Sequence, residues 1–370
     1  MKTQRGKQSI FFNKNVYVAS SAAIVGQKEG EGPLKGYFDQ VVEDPFFAMD
    51  TWEEAESKFV TEASLLAIEK AGMEPDKVRF AFAGDLLGQL IAASFGIKNL
   101  EIPFVGLYGA CSNIGLALTM GAMTICGDYA DEVLCAASSH FCSAEKQFRF
   151  PLEYGNQRPQ SSTWTVTGCG AFILSNRDRK KEGDKKKTGK ENVKEKEKKT
   201  GYGFAENKDC IKNVVIKGAT IGKIVDYDVK DAQNMGAAMA PAAAHVIYQA
   251  LNDFNMKADD FDRIITGDLG RVGKEILLTL LKENNIDLKK RHMDCGIEIF
   301  SDDEQDTHSG GSGCACSAVV LASYLLKKLE MGEWKRILLV PTGAMFSPTS
   351  FNEGQAVPGI AHAVWLEREE

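Results

Sequence analysis

Gly109-Ala110-Cys111-Ser112-Asn113-Ile114-Gly115-Leu116-Ala117 has an echo late in the chain, Gly313-Cys314-Ala315-Cys316-Ser317-Ala318-Val319. Each stretch sets an Ala-Cys-Ser step at the head of an uncharged, small-residue run. That composition is expected of a helix enclosed on every side. A cysteine at a helix N-terminus is also where a thiolate can be stabilised, so the pair bears on fold and chemistry together.

A second pair of segments supports an internal duplication. Gly72 to Leu86 lies on Asn255 to Leu269 without a gap, matching Met73 with Met256, Asp76 with Asp259, and Gly84-Asp85-Leu86 with Gly267-Asp268-Leu269. The apolar positions agree as well: Val78 pairs with Phe261, and Ala81-Phe82 with Ile264-Ile265. The repeat spans well over a hundred residues, which makes it a duplicated domain and not a solenoid unit.

Bulk composition fits a soluble, two-lobed protein. The 370 residues are 44% hydrophobic, enough to bury a large core, and no apolar run is long enough for a membrane span. Met1 to Gln8 is charged and lacks a following apolar block, so a cytosolic chain is expected. Nine cysteines, an odd number without a Cys-x-x-Cys pair, suit a reducing compartment and point to no metal site.

The net charge of −7 is unevenly spread. Arg177 to Thr200 holds twelve basic and six acidic residues with Val193 as its single aliphatic side chain, leaving the remainder near −13. Such a tract buries nothing and is expected to be disordered. The acidic remainder speaks against a nucleic-acid partner. The tract also marks a boundary: residues 1–176 form an N-terminal half, 177–212 a charged insertion, and 213–370 a C-terminal half.

Each half reads strand, helix, strand, helix, strand, helix, strand, strand, which implies a largely parallel sheet covered by helices. In the first half strands are predicted at Val16 to Ala19, Val78 to Ala83, Phe104 to Tyr108, Val133 to Ser138 and Cys169 to Ser175. Helices are predicted at Trp52 to Ala71, Leu86 to Phe95 and Cys111 to Cys126. The second half repeats this, with helices near Met239 to Phe254, Gly273 to Glu283 and Cys314 to Leu329. Its strands follow at Ile264 to Thr266, Arg336 to Val340 and Ile360 to Leu366.

Strand, tight turn and Gly-Ala-Cys-Ser at a helix start, in the first of two duplicated α/β halves, resembles the nucleophile position of the thiolase and β-ketoacyl synthase superfamily. His308-Ser309-Gly310-Gly311-Ser312-Gly313 is similar to that superfamily's His-x-x-Gly-x-x-Gly element, one residue shorter. The strings AGDLL, YGACSN, SSHF, AEKQFRFPLEYGNQRP, TVTGCGA, GSGCACSAVV, TGAMFSPTSF and GIAHAVWLE resemble one branch, the stage V sporulation AD family of endospore-forming bacteria. The resemblance implies a five-layer αβαβα fold of two βαβαβαββ halves, with the two Cys-headed helices packed between the sheets. It also implies a homodimer through the strand before the nucleophile, Ile102 to Tyr108.

For acyl transfer such a site needs a thiolate, bases and an oxyanion hole. By the resemblance Cys111 takes the first role and His308 one of the second. The third position, near Thr342-Gly343-Ala344-Met345-Phe346-Ser347, carries no Cys or His, and His362 falls inside the last predicted strand, too far to serve. Cys111 and His308 are therefore candidate vestigial catalytic residues in a chain not expected to be an enzyme. Cys111 also reads as a small residue at a crowded helix start, and His308 as a loop residue capping its own turn. Cys314 and Cys316 read as packing residues, and His245 and His292 receive no role.

A second cluster, His140, Glu145, Lys146, Arg149, Tyr154 and Arg158, follows a strand that ends on the same side of the sheet, where open α/β sheets bind ligands. Arginine and histidine suit a planar dicarboxylate, although ion pairs with Glu145 or Glu153 would equally occupy the arginines. The family resemblance implies that the ligand is dipicolinic acid, free or as its calcium complex, with no cofactor. Cys111, His140, Arg149, Tyr154, Arg158 and His308 are the candidate ligand-binding residues. It further implies integral membrane proteins of the same sporulation operon as partners, and a peripheral position at the forespore or spore inner membrane after synthesis in the cytoplasm. Two alternatives remain open: an acyltransferase using Cys111, and an assembly scaffold without a ligand.

Overall fold

A computed structural model describes residues 3–149, 158–178 and 213–369. Residues 179–212, nearly all of the charged insertion, and Tyr154 lie outside the described residues.

The first half contains β1 (Ser9–Gly26), α1 (Trp52–Lys70), β2 (Phe80–Gly84), α2 (Ile91–Lys98), β3 (Phe104–Gly106), α3 (Asn113–Cys126), β4 (Glu132–Ser139), α4 (Phe141–Phe148), β5 (Trp164–Thr165) and β6 (Gly168–Ser175). The second contains β7 (Val214–Thr220), α5 (Met235–Phe254), β8 (Arg263–Thr266), α6 (Gly270–Glu283), β9 (His292–Asp294), β10 (Gly311–Ser312), α7 (Cys314–Val320), β11 (Arg336–Val340), β12 (Thr342–Ala344), β13 (Gly359–Ala361) and β14 (Ala363–Arg368).

The strand order β9-β8-β11-β14-β7-β1-β6-β4-β2-β3 shows the duplication directly. In each half a central strand, β2 or β8, is parallel to two neighbours, and an antiparallel pair completes the set. The long β1 joins the halves, since it pairs antiparallel with both β7 and β6.

Three apolar clusters define the layers. Phe59, Val60, Ala63 and Ala67 of α1 cover one face of the first sheet together with Ile97. Met239, Val246, Ile247 and Leu277 of α5 and α6 cover the outer face of the second. Between the sheets lie Ile114, Leu118 and Ile125 of α3 with Cys314, Ala318 and Val319 of α7. This is the expected five-layer arrangement, with the two Cys-headed helices in the middle. Helix α7 packs tightly: a Cβ on Gly170 of β6 would fall 2.4 Å from the Ala318 carbonyl carbon, so this strand position tolerates only glycine.

Local chemistry sets the element ends. Thr51 caps α1 in a reciprocal capping box with Glu54. The predicted helix from Leu86 instead starts at Ile91, because the buried Asp85 carboxylate accepts from the Leu87 and Ala93 amides. The intervening Gln89 and Leu90 adopt positive φ. Helix α3 begins two residues after Cys111 for a similar reason. Ala110 is left-handed at φ 48°, and the Ser112 hydroxyl donates to the Gly109 carbonyl at 2.6 Å, forming a tight turn that holds Cys111 outside the helix. Among the described residues no helix is long and apolar enough to cross a membrane.

Candidate functional site

The carboxyl ends of β2 and β8 carry the paired Gly-Asp steps found in the sequence, and they frame the head of α3. On the first-half side Asn113 is the hub. Its side chain accepts from the Gly109 amide at 2.6 Å, and donates to the Asp85 carbonyl at 3.1 Å and to the Cys314 sulfur at 3.3 Å. On the second-half side Asp268 holds two groups. It accepts from the Thr342 hydroxyl at 2.7 Å and the Gly313 amide at 3.1 Å, and its carboxylate lies beside the Cys111 thiol.

Cys111 opens on a cavity of about 300 Å³ at the junction of the halves. Asp268 and Gly313 form its floor with Cys111; Leu86, Phe148, Met239 and Phe346 supply apolar walls; Glu145, Arg149, Arg158 and Gln233 supply polar ones. The volume sits at the low end for small-molecule sites, whose usual range is about 300–1,000 Å³.

Electrostatics disarm the sulfur. Burial, and then the Asp268 carboxylate beside it, push the Cys111 thiol well above its ordinary range. Burial raises Asp268 itself to about 7, against the opposing bonds from Thr342, Cys111 and Gly313. Neighbouring Tyr108 is pushed up to about 12 by desolvation. Among the described residues no cation is placed beside the thiol to stabilise a thiolate, and the N-terminal α3 amides alone do not offset an adjacent carboxylate.

The candidate residues separate into two groups. Cys111, Arg149 and Arg158 share the cavity wall. His140 does not: it caps α4, accepting from the Cys142 amide at Nδ1 while Nε2 lies 2.8 Å from the Pro45 carbonyl, and it is 1% exposed. Burial lowers its pKa, consistent with a neutral cap. His308 also faces away from the cavity. Its Nδ1 meets the Pro159 carbonyl at 2.9 Å and its Nε2 the Asp306 carboxylate at 3.0 Å, with its backbone at φ 54°. The expected base beside Cys111 is thus replaced by Asp268. His362 lies behind the Cys111 turn and outside the cavity lining, with its Nε2 3.7 Å from where a Cβ on Gly109 would sit.

Asp268 and Thr342 were not read as site residues from the sequence. Their signal was the repeat itself: Gly267-Asp268-Leu269 answers Gly84-Asp85-Leu86 at the end of the equivalent strand. Among the described residues no group of three His, Cys, Asp or Glu side chains is arranged to hold a metal ion.

Fold and cavity together define a thiolase-like protein. Solved structures of the same fold include an OleA variant of Xanthomonas campestris, with TM-score 0.58 and 13% identity over 99% of this chain and 100% of that one. Others are 3-oxoacyl-(acyl-carrier-protein) synthase III of Aquifex aeolicus, with TM-score 0.51 and 13% identity over 95% and 99% of the two chains, and a tetronic acid condensing enzyme, with TM-score 0.55 and 15% identity over 95% and 99%. At such identities the likeness shows the fold alone. Residues 6–367 match the family described as stage V sporulation protein AD. The protein of that name from Bacillus subtilis (strain 168) is 38% identical over 363 residues, spanning 98% of this chain and 97% of the relative. The chain belongs to the stage V sporulation protein AD family.

Proposed function

We propose that this sporulation protein is a non-enzymatic binder of dipicolinate, alone or as its calcium complex, that supports uptake of the ligand into the developing spore. The observation that carries the reading is a small cavity with two guanidinium groups on its wall and a thiol at its floor that stays protonated. Guanidinium forks match planar carboxylates, and Phe148 and Phe346 offer apolar surface to a flat ring. A thiol without a cationic partner binds and does not attack.

In this reading the protein works as a homodimer beside integral membrane proteins of its operon, peripheral to the spore inner membrane. The dimer is supported by β3, an edge strand whose three residues are all exposed. Calorimetry of the purified protein should give micromolar dipicolinate affinity, equivalent to about −8 kcal/mol. Absence of both heat and thermal shift at saturating ligand would refute the reading.

The Cys111–Asp268 contact favours one second reading, acyl transfer with Cys111 as nucleophile and Asp268 as proton acceptor. It requires a covalent acyl-Cys111 adduct from an acyl thioester, detectable by intact mass. No adduct is expected.

A further inference from the structure

The two cavity arginines are not equivalent. Arg149 is neutralised by its neighbour one turn earlier: its Nη1 pairs with the Glu145 carboxylate and its Nη2 reaches the Thr163 carbonyl at 3.4 Å. Arg158 is held differently. Its Nη2 donates to the Asp306 carbonyl at 2.9 Å and to the Asp306 carboxylate at 3.0 Å, and its guanidinium lies over the Trp164 ring at 5.0 Å. Trp164 is itself fixed by a parallel stack on Phe141, 3.9 Å between centroids. Yet Arg158 Nη1 is buried with no hydrogen-bond partner among the described residues, and the side chain is only 12% exposed.

An orphaned N–H pair on a buried guanidinium is costly unless something completes it. Gln233 poses the complementary case on the same cavity lining, since its side-chain oxygen is also buried and unpartnered. The two residues that carry this unmet donor and acceptor both line the cavity, beside the apolar Phe148, Met239 and Phe346 and the paired Glu145 and Arg149. Arg158 is also immobilised from three sides, so receiving an anion there costs little side-chain entropy.

Building on the dipicolinate reading, we infer that Arg158, and not Arg149, is the residue that recognises the ligand's anion, and that it sets selectivity for a flat acid presenting a carboxylate at the Trp164 side of the cavity. The ligand's oxygen accepts from the unpartnered Nη1. Asp306, from the second half, orients the guanidinium for it, so the recognition group is assembled across the two halves. Arg149 with Glu145 forms a closed, net-neutral pair that shapes the wall.

The test is a cycle between protein and ligand. Dipicolinate carries two carboxylates and picolinate one; both are titrated calorimetrically into wild type, R158Q, R158K and the E145Q/R149Q double variant. Wild type is expected to prefer dipicolinate by about tenfold or more, R158Q to lose about that factor for dipicolinate and to bind both acids alike, and E145Q/R149Q to lose less than R158Q. R158K keeps the charge without the fork, and its preference should lie between the two. Equal dipicolinate affinity in R158Q and wild type, a preserved preference in R158Q, or a larger loss in E145Q/R149Q would overturn the inference while leaving the binding reading intact. Wild type that binds neither acid would overturn both. The wild-type comparison of the two acids needs no substitution, so poor folding of a variant does not shield the proposal.

Discussion

The Cys111 thiol of the first half lies beside the Asp268 carboxylate of the second, in a cavity that both residues line. A neighbour of this charge holds the proton on the sulfur, where a cation would have released it.

Alkylation kinetics follow from that contact. At pH 7.5 iodoacetamide should modify Cys111 at least about tenfold more slowly than a free cysteine, because the thiolate is the reacting species. Replacing Asp268 by Asn removes the charge that raises the thiol and should speed the reaction. Peptide-level mass spectrometry reads Cys111 apart from Cys126 and Cys142, which are also partly exposed. Modification of wild-type Cys111 as fast as free cysteine would contradict the disarmed site.

Buried acids give the stability a defined pH dependence. Burial raises Glu29 to about 7 and Glu56 to about 8, and Asp268 likewise to about 7. A folded state that holds protons more tightly than the unfolded chain loses stability as pH rises between the two pKa values. The unfolding free energy should therefore fall from about pH 4.5 to pH 8 and level off above, with Glu29 alone accounting for about 3 kcal/mol at most. Glu29→Gln should flatten the curve, since one oxygen accepts from the Thr167 amide at 2.9 Å and the other is unpartnered. Urea titrations across this range check it; stability that rises with pH would contradict it.

Gly343 of β12 sits against the Cys111 turn. A Cβ there would lie 2.4 Å from the Gly109 carbonyl oxygen and 3.1 Å from the Ser112 amide. Gly343→Ala should cost about 1–3 kcal/mol and weaken ligand binding by displacing the turn. Gly36→Ala, where the new methyl meets nothing within 4 Å, should leave both unchanged. Thermal melts and calorimetry on the two variants make the comparison, and equal behaviour would contradict the packing assigned to the turn.

Edge strand β3 carries Phe104 and Val105, 37% and 39% exposed, with Tyr108 just beyond. An unpaired apolar edge is a natural site for strand pairing with a second copy. Val105→Lys should convert a dimer to a monomer in light scattering while preserving the melting temperature of the protomer. A wild-type monomer at all concentrations would contradict the dimer.

The layers were legible in the sequence because each rests on a local pattern. Charge-free helix text marked α3 and α7 as enclosed, and the helix predicted at Trp52 to Ala71 is α1, which buries Ala55, Phe59, Ala63 and Ala67. What failed depends on tertiary contacts. Nothing local in Leu86 to Leu90 announces that Asp85 will claim the Ala93 amide and delay α2. His292–Asp294 is too short to carry a strand period, yet it pairs with β8. At the site, Arg149 and Arg158 follow a strand end and line the cavity, whereas His308 lies outside the cavity lining. Its glycine-rich context suggested a base facing Cys111, but the left-handed backbone at His308 turns the ring to Pro159 and Asp306. Asp268 was visible only as half of a repeat, since which of two equivalent acids meets the sulfur is decided by the packing of one half on the other.

A crystal soaked in dipicolinate tests the central claim most directly. The account predicts ligand density in the cavity between Cys111 and Arg158, with a carboxylate within hydrogen-bond distance of Arg158 Nη1 and no covalent bond to the Cys111 sulfur. An empty cavity at saturating ligand, or a covalent adduct on Cys111, would contradict it.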